Sequence, residues 1–482
     1  MVAVALVAIA CGDPEVPRAV SSTAGLVTAT PLPQEATPTA SPTPTSEPTA
    51  DPDDFDEPTA TPLPVTQPGL YSDRIRVAVI ADVVTGGTAD GLFAEAWNGA
   101  LAWRESVNQE GGIGGRLIEL DLLDARLSNH REKLEQVCDG DYFAIIGSQS
   151  LGDYEGAELL GTADCNVPDF PGDVHGARRA ESPVTFLANP FLNDLRQSGP
   201  AKYLTEQFPD ASQSLALFYY TSLQLQSETE RLREMLVGEG MNVIFEPSVD
   251  LQEDLSGRIV TEWEESGAEA LVWNADPGRL ISLLGALDEP PAFVLCELAC
   301  YSQAFLTVGG EAVEGVYAWI PHSPFDSSNA PGELVTYRFW LNGTAPDAGW
   351  SEVSLQAWLA GRLFEESFNR LLAVEPEAFT RDQLVQAART IDFFTANEVL
   401  SFTNPAAGEP TPCFALMVVE RGRWVQVHPQ PPRDLDCAEE NLYPLVATRN
   451  LGLTAASSTS SEAPADPEED PVDLENPEEI PD

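Results

Sequence analysis

From Arg74 onward, short β-branched, apolar runs alternate with longer helical stretches, and this alternation constrains the fold more than any other feature. Ile75-Arg76-Val77-Ala78-Val79-Ile80-Ala81 reads as a buried strand. A helix follows from about Leu92 to Asn108, then a strand over 117–123, a helix through Val137 and a third strand over 142–146. Further strand-like runs lie at 214–220, 242–245, 270–273, 292–295 and 315–320, with helices at about 226–238, 254–267 and 278–287. Strands separated by helices imply parallel sheets with right-handed crossovers. The stretch is too long for one open sheet, so the predicted fold class is α/β with two doubly wound parallel-sheet lobes. Ligands of such sheets sit beyond the carboxyl ends of the strands. The turns to watch are therefore Thr85–Gly91, Gly147–Asp153, Gly172–His175, Thr221–Gln224, Asn274–Pro277 and Cys296–Tyr301.

Charge narrows the partners. The 482 residues carry 77 Asp plus Glu against 25 Lys plus Arg, a formal net charge of −52, and only Lys133 and Lys202 are lysine. Nucleic acid is excluded as a partner, because phosphates need a basic footprint. Docking on an anionic membrane by charge alone is disfavoured for the same reason. Residues 1–73 and 451–482 hold ten acidic residues each, so most of the excess belongs to the middle of the chain. Such a surface draws cationic solutes and deters anionic ones. With 43% hydrophobic residues the middle can build a core.

Both ends read differently. Met1 to Ala10 is an apolar run of signal-peptide length, too short to span a bilayer, and it stops at Cys11 after Ala8-Ile9-Ala10. A small residue and then a cysteine after such a run resembles a bacterial lipobox, so 1–11 is expected to be a signal peptide with Cys11 the lipidation site. Residues 12–73 are expected to form a disordered Pro/Thr-rich linker, because such a composition buries too little apolar surface to offset chain entropy. Extended as polyproline II, a stalk of this length reaches roughly 180 Å at about 3.1 Å per residue. Residues 451–482 are expected to be a second disordered, acidic tail.

Six cysteines remain, an even number that suggests disulfides outside the cytoplasm. The expected connectivity joins sequence neighbours: Cys138–Cys165, Cys296–Cys300 and Cys413–Cys437. No metal site is expected, since there is no CxxC pair and no histidine at ligand spacing from a cysteine.

The segment Ser106-Val107-Asn108-Gln109-Glu110-Gly111-Gly112-Ile113-Gly114-Gly115-Arg116 resembles the asparagine, Gly-Gly-Ile, Gly-Arg signature of type I periplasmic binding proteins. It is most similar to the branched-chain amino acid branch that serves ABC importers. Tyr142-Phe143-Ala144-Ile145-Ile146-Gly147-Ser148-Gln149-Ser150 resembles the family's next landmark, a strand ending in Ile-Gly and a serine loop. Val313 to Tyr317, a long helix near 351–372, and Glu420 to Val427 with Gly422 and Trp424 continue the likeness. The resemblance implies two lobes joined by a three-crossover hinge, lobe one from 74–193 with 321–400 and lobe two from 194–320 with 401–445. It also implies a ligand between the lobes and closure around it, a population shift driven by contact with both.

The resemblance places ligand contacts at Ser148, Gln149 and Ser150 on lobe one, where hydroxyls and helix N-terminal amides suit a carboxylate. The competing role is capping of the local turn. On lobe two, Glu297 falls where amino acid binders grip an ammonium, with Tyr220, Gln224, Asn274, Asp276 and Tyr301 at neighbouring strand ends. The chain departs from the family at Val167 to His175, which lacks the usual hydroxyls and carries Asp173. Asp173 would repel a ligand carboxylate, which favours a cationic, amide or neutral solute over a zwitterion. No HExxH, GxSxG, GxxxxGK or GxGxxG occurs, so neither an enzyme nor a cofactor is expected. The expected function is that of an extracytoplasmic solute-binding lipoprotein, monomeric and lipid-anchored, delivering a small polar solute to an ABC permease. The rival is a surface lipoprotein, sensory or adhesive, that reuses the fold.

Overall fold

Strand β1 (Arg74–Ala81) is buried along almost its whole length, as a central strand covered on both faces must be. In the computed structural model, which describes residues 67–84, 91–190, 194–221, 226–250, 257–374 and 379–446, β1 pairs in parallel with β2 (Leu117–Asp124), from Arg74 opposite Leu117 to Ala81 opposite Asp124. With β3 (Ala144–Ile146) and β4 (Asp169–Phe170) they form a sheet of order β2-β1-β3-β4. The signature residues build the turn into β2. Asn108 Nδ2 donates to the Ile118 carbonyl (2.9 Å) and its Oδ1 accepts from the Ile118 amide (2.7 Å). Gly112 has a φ of +79°, and a Cβ there would lie 1.9 Å from the Arg116 carbonyl oxygen. A glycine is obligatory at that position.

One face of this sheet is covered by the helices Ala94–Gln109 and Glu352–Val374, which cross in close contact. Gly99 lies on the Ser354 carbonyl and Gly361 under the Trp103 ring. The second helix thus returns to the first sheet from far along the sequence.

The second sheet is built from β6 (Leu215–Tyr220), β7 (Val243–Phe245), β8 (Ser248–Val249), β9 (Ala270–Asn274), β10 (Val294–Cys296), β11 (Val316–Ile320), β12 (Ala415–Glu420) and β13 (Arg423–His428). Its order is β13-β12-β11-β10-β9-β6-β7, with β8 also on β6. Alternate residues enter different cores. Leu215, Leu217, Ala270, Val272 and Leu295 join one, while Ala216, Phe218, Leu271, Trp273 and Cys296 join the other. Both faces are therefore buried, which explains why these strands read as unbroken apolar runs. The sheet is parallel from β7 to β11, and at its other edge β12 runs antiparallel to β11 and to β13. Arg421 and Gly422, both at positive φ, make a two-residue turn between Glu420 and Arg423, and so short a connection can join only antiparallel strands.

The chain passes between the sheets three times, after β4, after β11 and before β12. The crossings hold one another. The Ser323 amide donates to the Val399 carbonyl (3.2 Å), and Thr403 Oγ1 donates to the Ala188 carbonyl (2.7 Å). On the first crossing, β5 (Leu195–Gln197) pairs antiparallel with β14 (Leu442–Pro444).

The three disulfides are Cys138–Cys165, Cys296–Cys300 and Cys413–Cys437, the sequence-neighbour pairs. The expected linker ends before residue 73: Leu70 is fully buried against the first core, and Tyr71 hydrogen-bonds Asp141. The expected lipidation site Cys11 and the tail 451–482 lie outside the described residues. No described helix is long and apolar enough to cross a membrane.

Candidate functional site

A cavity of about 490 Å³ opens between the two sheets, a size suited to a small molecule. Its floor is made by the crossings, through Asn189, Pro190, Arg196, Pro321 and Thr411. One wall carries Phe93, Glu95, Gln149, Asp173, His175 and Val353, and the other Tyr220, Asn274, Asp276, Glu297, Phe305 and Trp319. The lining follows the strand ends: Gly172–His175 follows β4, Asn274–Gly278 closes β9, and Cys296–Ala299 closes β10.

Of the residues expected to bind, Gln149, Asp173, Tyr220, Asn274, Asp276 and Glu297 line the cavity. Ser148 and Ser150 do not. The Ser148 hydroxyl accepts from the Ile80 amide (2.9 Å), tying the loop to β1, and the Ser150 hydroxyl accepts from the Gly152 amide (3.2 Å). Both are fully buried, with their hydroxyls taken by backbone amides. Buried Asp82 completes this brace, taking the Leu127 amide (2.6 Å) and the Leu151 amide (2.9 Å). Tyr301 is likewise a core residue, stacked on Phe325 with its hydroxyl accepting the Phe325 amide (3.1 Å). Gln224 lies outside the described residues.

The second wall is organised by Arg196, which sequence reasoning missed. It pairs with Glu228 and stands 3.6 Å from Glu297, while Arg231 holds the other Glu228 oxygen at 3.0 Å. Burial opposes ionisation of Glu228, but Arg196 and Arg231 outweigh it and hold the carboxyl below its ordinary range. Burial raises Glu297, against the pull of Arg196 and of Trp319, whose indole donates to Oε2 at 3.1 Å. Asp276 caps the helix Pro277–Leu284 through the Arg279 amide (2.9 Å). Burial and then nearby Asp276 push the Tyr220 phenol well above its ordinary range, so it stays a neutral donor.

The first wall is different. Gln149 Nε2 donates to the Val353 carbonyl (3.0 Å) and to Gln356 (3.3 Å), joining the serine loop to the long helix. Glu352 is bound to buried His322 at 2.5 Å. Burial raises the Glu95 carboxyl, against a hydrogen bond from Ser351. Asp173 is pushed up to about 6, first by burial, with Asp153 and Glu228 adding and His175 opposing. The described residues contain no cluster of three or more potential metal ligands.

The fold has known counterparts. A fatty acid ABC transporter substrate-binding protein from Thermomonospora curvata superposes with a TM-score of 0.65 at 16% identity, over 78% of this chain and 96% of that one. An R. palustris ABC transporter solute binding protein in complex with benzoate gives 0.59 at 13%, over 73% and 95%. The branched-chain amino acid transporter substrate binding protein LivJ from Streptococcus pneumoniae, in complex with isoleucine, gives 0.58 at 11%, over 73% and 100%. These likenesses concern the fold. Comparison with curated proteins finds no match. The sequence model for a family of binding proteins rather than enzymes, the periplasmic binding proteins, matches residues 74–423, and the chain belongs to that family.

Proposed function

We propose that the protein is a lipid-anchored, monomeric receptor that captures one small solute between its lobes and hands it to an ABC permease. Membership of the family makes it an extracytoplasmic solute-binding protein. The observation that carries the finer reading is the cavity itself, lined from both lobes and floored by the crossings that would have to bend for it to open. A solute that touches both walls only when they are shut favours the shut state by that difference in contact. The structural relatives named above are ABC transporter components with an anionic or zwitterionic ligand in two cases, so the fold alone leaves the ligand open. Gln149, Asp173, Tyr220, Asn274, Asp276 and Glu297 are the proposed contact residues among those expected, joined by Glu95, Arg196 and Trp319. A thermal-shift screen of the full chain against amino acids, amides, amines and aromatic acids tests the reading. At least one class is expected to raise the melting temperature. A folded protein that no compound stabilises contradicts solute capture and leaves a sensory or adhesive surface role.

A further inference from the structure

We propose that the solute is a small organic cation, an ammonium or guanidinium group on an apolar body, whose charged head is taken by Asp173 on the first lobe. This rests on the cleft being the solute site.

Six carboxylates line the cavity, those of Glu95, Asp173, Glu228, Asp276, Glu297 and Glu352. Four of them are engaged. Glu228 and Glu297 share Arg196, and Glu228 also holds Arg231. Glu352 is on His322, and Asp276 caps a helix. Among the described residues neither Glu95 nor Asp173 makes an ion pair. Asp173 Oδ1 accepts only the adjacent Val174 amide (2.8 Å), and Glu95 has the Ser351 hydroxyl. An anionic head would have to displace Glu228 and Glu297 from Arg196 while approaching these two acids. A cation has only to enter.

The groups that act on Asp173 lead to the same conclusion. His175 and Asp153 act on it from its own lobe and Glu228 from the opposite wall, while buried Arg179 feels it from behind. Arg179 is committed to Asp169 through two hydrogen bonds, at 2.9 and 2.8 Å, and so does not neutralise Asp173. Glu228 is held by Arg196 and Arg231, so the carboxylate left for an incoming cation on this side of the cleft is Asp173. The rest of the lining gives the apolar body a place, with Phe93, Leu92 and Val353 on one wall and Phe305 and Ile281 on the other.

Titration calorimetry of the full chain at pH 7.5 tests this, using phenethylammonium and hexylammonium beside 3-phenylpropionate, phenylalanine and 3-phenylpropanamide. A cation is expected to bind at least about tenfold more tightly than each charge-altered analogue, the weight of one charge-assisted hydrogen bond. D173N should weaken it by about tenfold. Affinity should fall as the pH drops through about 6, where Asp173 takes up its proton, and this dependence should vanish in D173N. Tighter binding of the anion or the zwitterion overturns the inference while leaving solute capture intact. So does a cation whose affinity D173N leaves unchanged. No binding by any of the five compounds also overturns it, with solute capture still decided by the thermal-shift screen.

Discussion

At Asp173 the proposed ligand role and stability oppose each other. Its carboxyl titrates at about 6 in the folded protein against an ordinary 3.8, chiefly because burial penalises the charge. The folded state therefore binds a proton more readily than the unfolded one between these values. Stability linked to Asp173 is full below the unfolded pKa and is lost as pH rises through the folded one. At pH 7.5 the protein carries a half-buried carboxylate whose burial outweighs the help of His175, and Asp173→Asn should raise the melting temperature there. Near pH 3.8 the gain should largely vanish. Calorimetric melting of both proteins at the two pH values checks this, and a variant less stable at pH 7.5 would mean that Asp173 is already compensated. A group that costs stability in the empty protein is one that a bound cation would repay.

At the scale of elements, the helix crossing between Ala94–Gln109 and Glu352–Val374 positions the first wall, since Glu95, Glu352, Val353 and Gln356 all ride on it. Gly99 makes that crossing possible: a Cβ there would sit 1.9 Å from the Ser354 carbonyl oxygen. Gly99→Ala should destabilise the protein by about 1–3 kcal/mol or more, the usual cost of overpacking, as read from the midpoint of urea unfolding. An unchanged midpoint would mean that the helices slide apart freely. Much at this scale was legible in the sequence. Runs such as Leu215 to Tyr220 and Ala270 to Trp273 read as strands because both faces are buried and every residue is apolar or aromatic. The glycine cluster 111–115 read as a turn because its φ values demand it. The antiparallel pair Ala415–Glu420 and Arg423–His428 was legible only as a landmark, since nothing local says which edge it joins. Strand Leu195–Gln197 was not legible at all, because its partner Leu442–Pro444 lies at the other end of the folded chain.

For the whole molecule, the cleft was half legible. The rule that ligands gather at strand ends located Gly172–His175, Asn274–Pro277 and Cys296–Glu297, because topology alone determines where those turns point. Ser148, Ser150 and Tyr301, also at strand ends, do not line the cavity, and their hydroxyls accept from backbone amides instead. It missed Arg196, on a crossing, and Glu228, Arg231 and Glu95, on helices, since these reach the cavity sideways. The −52 charge also gains a location, with unpaired carboxylates on the wall of the cleft itself.

One solute is proposed to bridge both lobes. Hydrogen–deuterium exchange of the full chain, with and without a solute from the thermal-shift screen, tests it most directly. Slowed exchange is expected on both walls at once, at residues 172–176 and 149–153 on one and 274–280 and 296–302 on the other. Protection of one wall alone, or of surfaces away from the cleft, would contradict it.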